Sequence, residues 1–373
     1  ARIRDPEYAE ELTMLKEEID IDMVINPEQA AAEEAARVLN VPTAINVENF
    51  ADGRVRMVEV KVKSGMTILG MSLKELPHKI SSSFLIGAII RNGDVIIPTG
   101  NMTIEENDDL YIIGKTSHVL NFCKGLDENY HKTRNVMIVG GGRIAYYLTN
   151  ILYEMDMKVK IIEINREKCK VLSEALPDTL IIHGDGTDEE LLLSENLGDM
   201  DGFISMTGID EENLMSALMA KQNGVKKVIT KTSRSNYINI VKSLGIDGVI
   251  IPKLITANHI LKYVRGKAIE SLYKLEEGQA EIIEFIVNAR SKYVNIPLKK
   301  LKLPEDVIIA TIVRRNDVII PHGEDIIKKG DRVIVITKNS SVSNLDEIFS
   351  NASGGIQNEL QSSIKKFGHI INM

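Results

Sequence analysis

The sequence predicts an α/β protein in which a Rossmann-like doubly wound parallel sheet is joined to small α+β modules in tandem repeat. Three observations carry this. Residues 86–114 (IGAIIRNGDVIIPTGNMTIEENDDLYIIG) align without gaps on 309–337 (IATIVRRNDVIIPHGEDIIKKGDRVIVIT), with about twelve of 29 positions identical against about one or two for unrelated chains. Residues 135–164 (NVMIVGGGRIAYYLTNILYEMDMKVKIIEI) read as a strand, a glycine turn, an amphipathic helix and a second strand ending in an acid. Short apolar runs then follow as TLIIHGD, GFISMT, KVITKT and GVIIP, separated by helical stretches, which is the alternation of a parallel sheet.

The repeat orders the elements. Leu73-Lys74-Glu75-Leu76 matches Leu298-Lys299-Lys300-Leu301, RMVEVKV matches EIIEFIV, and Arg4 to Tyr8 followed by IDIDMVINP is similar to Ser233 to Tyr237 followed by LGIDGVIIP. Each unit therefore runs strand, helix, strand ending in Pro, helix, β-rich module. At a period of about 225 residues two whole units need about 450, so about 80 residues are expected to precede Ala1, the first glycine loop among them. The expected divisions are a remnant of the first nucleotide-type domain with its crossover helix (1–54), a first β module (55–117), a linker (118–134), the intact Rossmann-like domain (135–253), a crossover helix (254–278), a second β module (279–340) and a tail (341–373). The helices EQAAAEEAARVLN (28–40) and LITANHILKYVRGKAIESLY (254–273) carry apolar positions at helical spacing. They are the candidate elements for transmitting a rotation, although such a stripe more often buries against its own domain. The tail is expected to be flexible, with a short helix.

Composition narrows the function. With 373 residues and 44% apolar content each domain can bury a core. Lys+Arg 45 against Asp+Glu 53 leaves a net charge of −8, which argues against binding nucleic acid or anionic lipid. No apolar run approaches the length of a membrane span and the N-terminus has no signal-peptide pattern, so no direct membrane insertion is expected. Cys123 and Cys169 stand far apart, consistent with a reducing compartment and not with a disulfide framework or zinc knuckle. The absence of Trp and 5% aromatics make a base-stacking or sugar-stacking surface a poor reading.

The candidate site lies in the intact βαβ unit. Gly140-x-Gly142-x-x-Ala145 supplies a tight turn, a close backbone approach for a diphosphate, and a small residue where helix meets strand. Glu163, at the end of the second strand, can accept both ribose hydroxyls and favours NAD or adenosine over NADP, with Arg166 nearby as the opposing signal. Loops after strand C-termini face the ligand, which brings in Asp185-Gly186 and Thr207-Gly208. Capping competes for the same polar residues: Thr187-Asp188-Glu189-Glu190 has the form of a capping box, and Asp210 is placed to cap EENLMSALMAKQ. The ligand reading leads for Asp185 and the structural one for Asn213.

The order GDGTDEELL, ISMTGIDEENLMSALMAKQ, TSRSNY and GVIIP, followed by a helix and the repeated DVIIP module, resembles the TrkA family of peripheral subunits of bacterial Trk potassium uptake systems, built from RCK (KTN) domains. The resemblance runs from Ala1 to about Phe349. It implies the RCK N-terminal fold type followed by RCK C-terminal modules, and a cytoplasmic regulatory subunit at the inner face of the membrane. It also implies binding of NAD(H), or in relatives ATP or ADP, a homo-oligomeric ring, and gating of an integral-membrane K⁺ transporter subunit of the TrkH/TrkG type. On this likeness the diphosphate loop falls on Gly140, Gly141, Gly142, Arg143 and Ile144, the ribose carboxylate on Glu163, a contact pair on Thr207 and Gly208, and a basic residue near Lys231. Gly141 departs from the more usual Ala. In some relatives the C-terminal module binds cyclic di-AMP, which would involve Arg91, Asn92, Ile97 and Pro98, or Arg314, Ile320 and Pro321. Against this, VIIP reads first as a buried strand ending at Pro, with Arg91 and Arg314 solvated.

The alternative from another class is a nicotinamide-dependent oxidoreductase, because the fold does not separate hydride transfer from sensing. Such an enzyme needs a poised acid or base, yet His118, His131, His183, His259 and His322 pair with no second catalytic group at a recognisable spacing. No Ser or Cys nucleophile motif and no metal-ligand spacing occurs.

Overall fold

The computed structural model describes residues 24–76, 84–126, 131–264, 269–288, 291, 293–301, 303–338, 342 and 344–351. The expected strand before residue 24 and the expected helix of the tail beyond residue 351 lie outside them. The chain forms two compact units, one from residues 1–48 and 123–260, the other from 49–122 and 261–373.

The described chain opens with helix α1 (Pro27–Leu39). Pro27 occupies a position where a missing N–H is harmless, and Asn26 Oδ1 accepts from Glu28 N–H and Gln29 N–H, so the start is both pre-formed and capped. Its buried face is mainly alanine (Ala31, Ala32, Ala35, Ala36, then Val38 and Leu39), which lets its backbone approach a neighbour closely.

The first β module follows as β1 (Asn46–Phe50), β2 (Val55–Lys61), β3 (Phe84–Arg91), β4 (Asp94–Ile96) and β5 (Asp109–Lys115), in the sheet order β1-β2-β5-β3-β4. Helix α2 (Thr116–Gly125) leads out of it. β1 belongs to this sheet, so the module begins at Asn46 and not at residue 55.

The Rossmann-like domain alternates β6 (Asn135–Val139), α3 (Arg143–Glu154), β7 (Lys158–Glu163), α4 (Arg166–Ala175), β8 (Leu180–His183), α5 (Glu189–Ser194), β9 (Gly202–Ser205), α6 (Asp210–Gln222), β10 (Lys227–Lys231), α7 (Ile238–Ser243) and β11 (Gly248–Ile250). The six strands are parallel in the order β11-β10-β9-β6-β7-β8. Strand order therefore reverses between β6 and β9, which opens a crevice beyond their C-terminal ends. One face of the sheet is covered in part by α1, whose alanines pack with Ala145, Leu148 and Leu152 of α3. The join is reinforced where Thr133 Oγ1 donates to Leu39 O at 2.9 Å and where the buried Lys227 ammonium donates to Ala44 O. The stripe of α1 is thus buried within its own chain.

Helix α8 (Pro252–Val264) ends earlier than expected, and IESLYKL, read from sequence as its continuation, is instead strand β12 (Ile269–Leu275). With β13 (Ala280–Ile286), β14 (Val307–Arg314), β15 (Asp317–Ile319), β16 (Arg332–Thr337) and helix α9 (Leu345–Asn351) it completes the second β module, in the order β12-β13-β16-β14-β15. The two modules repeat each other strand for strand, down to a bulge in β3 between Ile86 and Ala88 and in β14 between Ile309 and Thr311. The DVI segments form three-residue edge strands, not central buried ones. Within their unit the modules share one apolar core, in which Met57, Ala88, Tyr111 and Ile113 meet Ile282, Ala310, Ile334 and Ile336.

Candidate functional site

Helix α3 starts at the C-terminal end of β6. Its cap residue Gly142 has no side chain to satisfy the first-turn amides, and those N–H groups carry the positive end of the helix dipole. The first position of the loop before it demands glycine, and the second is crowded by a leucine side chain. Gly140 has φ +100°, and a Cβ there would lie 2.9 Å from Thr207 N, while a Cβ on Gly141 would lie 2.4 Å from Leu172 Cδ1. Around Gly142 the space is open. Arg143 is exposed and Ile144 half-buried.

Glu163 closes the loop from the side. It is 6% exposed, and its Oε2 accepts from Gly141 N–H at 2.7 Å while Oε1 accepts from Asn165 N–H at 2.8 Å. Both carboxylate oxygens are therefore anchored to backbone amides and held at the mouth of β7, the position from which an acid reaches a ribose. The Cys169 thiol donates to Glu163 O at 3.4 Å; burial, and then the Glu163 charge, push its pKa up.

The third and fourth loops are held by their own hydrogen bonds. Asp185 Oδ1 accepts from Thr187 N–H at 2.9 Å and from its hydroxyl at 2.8 Å, contacts that lower the Asp185 pKa. Gly186 is buried so tightly that a Cβ would fall 2.1 Å from Val139 Cγ1, and Ser216 Oγ donates to its carbonyl at 2.7 Å. Two capping expectations are corrected here. The cap of α5 is Asp188, whose carboxylate accepts from Glu190 N–H and Leu191 N–H, because Thr187 is turned back to Asp185. Asp210 does not cap α6: it lies inside the first turn, and its carboxylate accepts from Ser233 N–H at 2.9 and 3.0 Å, tying α6 to the end of β10.

Asn213 is the residue whose importance the sequence understates. Fully buried, it accepts from Thr207 N–H at 2.6 Å and donates to Thr207 O at 3.3 Å and Lys231 O at 3.2 Å. The Thr207 amide is thereby engaged, and the peptide on which Gly140 rests is fixed. The Lys231 ammonium also donates to Thr207 O, and burial lowers its pKa, partly offset by Asp210. The D-x-x-N spacing of residues 210–213 was the available signal. Gly140, Gly141, Glu163, Thr207 and Lys231 thus form one connected group, with Gly186 packed behind β6 and the Asp185 side chain turned to Thr187. Among the described residues no group of three or more His, Cys, Asp or Glu is arranged to hold a metal ion.

In the β modules Arg91 and Arg314 are not merely solvated. Arg91 donates from Nε and Nη2 to Asp108 at 2.8 Å each, and Arg314 does the same to Asp331 at 3.0 and 2.7 Å. Each Nη2 also donates to a carbonyl, Thr103 O or Ile326 O. The forks are committed to bidentate pairs with buried carboxylates. Asn92 is a turn residue with φ +55°, and Ile97, Pro98, Ile320 and Pro321 follow the edge strands.

Comparison with known proteins is decisive for ancestry. Residues 136–252 match the TrkA-N domain, and residues 57–126 and 282–350 each match the TrkA-C domain. The chain is 37% identical over 351 residues to Trk system potassium uptake protein TrkA homolog 2 of Methanosarcina mazei, covering 94% of this chain and 78% of that protein. The chain belongs to the TrkA family. The TrkA protein of Haemophilus influenzae is 34% identical over 359 residues, again covering 94% and 78%. Family membership decides against the oxidoreductase alternative, since these relatives are named as potassium uptake proteins. Among solved structures, the GsuK RCK domain superposes with TM-score 0.54 at 17% identity, covering 94% of this chain and 74% of its own. The GsuK channel bound to NAD gives 0.53 at 17% identity, covering 94% and 62%. Both share the fold of this TrkA-family chain.

Proposed function

We propose that this chain is a cytoplasmic regulatory subunit of a potassium uptake system. In this reading it binds NAD(H) or ATP/ADP between Gly140 and Lys231 and, as part of a homo-oligomeric ring, gates an integral-membrane K⁺ transporter subunit of the TrkH/TrkG type. The observation that carries the nucleotide reading is the uncapped start of α3 beside a carboxylate anchored on Gly141 N–H, at the point where strand order reverses. The diphosphate would sit on the amides of Gly142, Arg143 and Ile144, with the ribose hydroxyls on Glu163 and the nicotinamide or phosphate end toward Gly208 and Lys231. Asp185, Gly186 and Thr207 shape the adenosine side. The potassium reading rests on the TrkA relatives, and the nucleotide class is also that of the NAD-bound GsuK channel. A peripheral location fits the described helices, none of which is long and apolar enough to cross a membrane.

For the mechanism, the ligand must bind two conformations unequally, and the bound state must be felt by the partner. The Thr207 peptide joins the loop ends of β6, β9 and β10, so a ligand pulling the Lys231 ammonium toward phosphate would release one of the contacts on Thr207 O. Calorimetric titration with NADH, NAD, ATP and ADP tests the site. Saturable binding that falls at least about tenfold in Glu163→Ala is expected, and absence of binding to all four would defeat the reading. Co-purification with a membrane K⁺ subunit tests the partner. Cyclic di-AMP at the β modules would have to break the Arg91–Asp108 or Arg314–Asp331 pair or bind around it, and the same titration examines it.

A further inference from the structure

At one pair of loops the two β modules keep the same backbone and reverse its charge. In the first module Leu73 N–H donates to Met102 O at 3.0 Å and Lys74 N–H to Gly100 O at 2.9 Å. In the second, Leu298 N–H donates to Asp325 O at 2.9 Å and Lys299 N–H to Gly323 O at 2.8 Å. The Arg91–Asp108 brace of the first loop pair recurs as Arg314–Asp331 in the second. Outward, three equivalent positions change sign: Glu75 gives way to Lys300, Glu105 to Lys328 and Glu106 to Lys329. All six side chains are exposed in the folded chain.

Neither surface is neutralised by its own module. Glu105 lies 2.5 Å from Arg91 Nη1, but that guanidinium is already committed to Asp108. In the second module Glu324 holds Lys299, and Asp325 Oδ2 accepts from His322 N–H at 2.7 Å. Among the described residues Glu106 has no basic partner, and Lys300, Lys328 and Lys329 have no carboxylate partner. The fold does not demand the reversal, since the same backbone carries either sign.

We propose that the two surfaces are the halves of one interface between copies of this chain, in which the acidic loop pair of the first module seats the basic loop pair of the second module of another copy. Both surfaces stay exposed in the folded chain, so the match is left to a second copy. Like surfaces repel, which disfavours a symmetric contact; the copies meet head to tail, each offering one surface of either sign. The charge pairs are weak one by one and are screened by salt over about 10 Å at 0.1 M, so the contact gains strength by repetition around an assembly. The proposal rests on the reading of the chain as a homo-oligomer and deepens it.

Carbodiimide, which joins a carboxylate to an ammonium only where the two touch, tests this on the full chain. At low salt a covalent dimer is expected, with cross-linked peptides that join Glu75, Glu105 or Glu106 to Lys300, Lys328 or Lys329, and its yield should fall several-fold at about 0.5 M salt. Lys328→Glu with Lys329→Glu makes both surfaces acidic, and Glu75→Lys with Glu106→Lys makes both basic. These positions are exposed, so both variants should melt as the wild type does. Each alone should lose most of the dimer, and the two co-expressed under different tags should regain it, because acid again meets base. The interface is overturned if the dimer's peptides join only other segments, or if co-expression recovers nothing. It is also overturned if the wild type gives no dimer and binds phosphatidylserine vesicles through Lys328 and Lys329, which would assign the basic surface to lipid. Sedimentation separates the two readings: an oligomer without these cross-links removes this interface alone, whereas a monomer at every concentration removes the homo-oligomer as well.

Discussion

Asn213 shows how one amide side chain can hold the floor of a binding crevice. Three hydrogen bonds from a fully buried group fix both backbone polar groups of Thr207 and the carbonyl of Lys231. Asn213→Ala leaves those groups unpaired in a dry site and is expected to cost about 2–4 kcal/mol, measured by urea unfolding. Weaker nucleotide binding should accompany the loss. The glycines separate in the same way. Gly140→Ala meets both a left-handed backbone and the Thr207 peptide, whereas Gly142→Ala meets open space. Calorimetry on the two variants should find a lowered melting temperature for the first and nearly unchanged stability for the second. Strain of another kind sits at Ala51 and Asp52, with φ +50° and +56°, held where Ala51 N–H and the Asp52 carboxylate meet Glu284 and Arg332.

Among the elements, α1 carries a titration that the rest of the fold must tolerate. Glu34 has its pKa pushed up to about 8, first by burial and then by the like charge of Glu48, against the pull of Arg37. An unfolded chain releases that proton near 4.5, so the folded state holds more protons between about 4.5 and 8 and loses stability as pH rises through that window. Glu34→Gln, neutral throughout, should flatten this dependence in denaturant titrations at pH 5 and pH 8.5. A variant with the slope of the wild type would show that Glu34 is ionised in the fold. The helices and the parallel strands of the nucleotide domain were legible because period and length agree, as in the apolar stripe of α3 and the β-branched run of β6. β1 and β12 were not, since NVENF and IESLYKL lack strict alternation and the latter continues an apolar helical pattern. The glycine loop and Glu163 could be read from spacing. The work of Asp210 could not, because a residue at a helix start is equally suited to capping its own helix and to tying down a neighbouring strand end.

At the scale of the whole molecule the two units are built from interleaved stretches of chain, so the six parallel strands of the nucleotide fold lie in the chain between two β modules that belong together, while α1 joins them from ahead of the first module. Saturating nucleotide should raise the calorimetric transition of the unit containing Glu163, with the shift growing as the logarithm of ligand concentration. A uniform shift of all transitions would mean that the units unfold as one. The bidentate pairs Arg91–Asp108 and Arg314–Asp331 give each β module the same internal brace. Arg91→Lys, which keeps the charge but loses the fork, is expected to cost about 1–2 kcal/mol by chemical denaturation.

This chain order also has a temporal side. The last strand of the first β module ends at Lys115, and the last strand of the second ends at Thr337. At about 5–20 residues per second on a ribosome, the first module waits on the order of 10–40 seconds for its partner. During that interval Ala88 and Ile113 face water or a chaperone, and the nucleotide domain must form while tethered to an unfinished neighbour. The apolar face that gives the mature molecule its internal pairing is therefore left uncovered for that interval of synthesis.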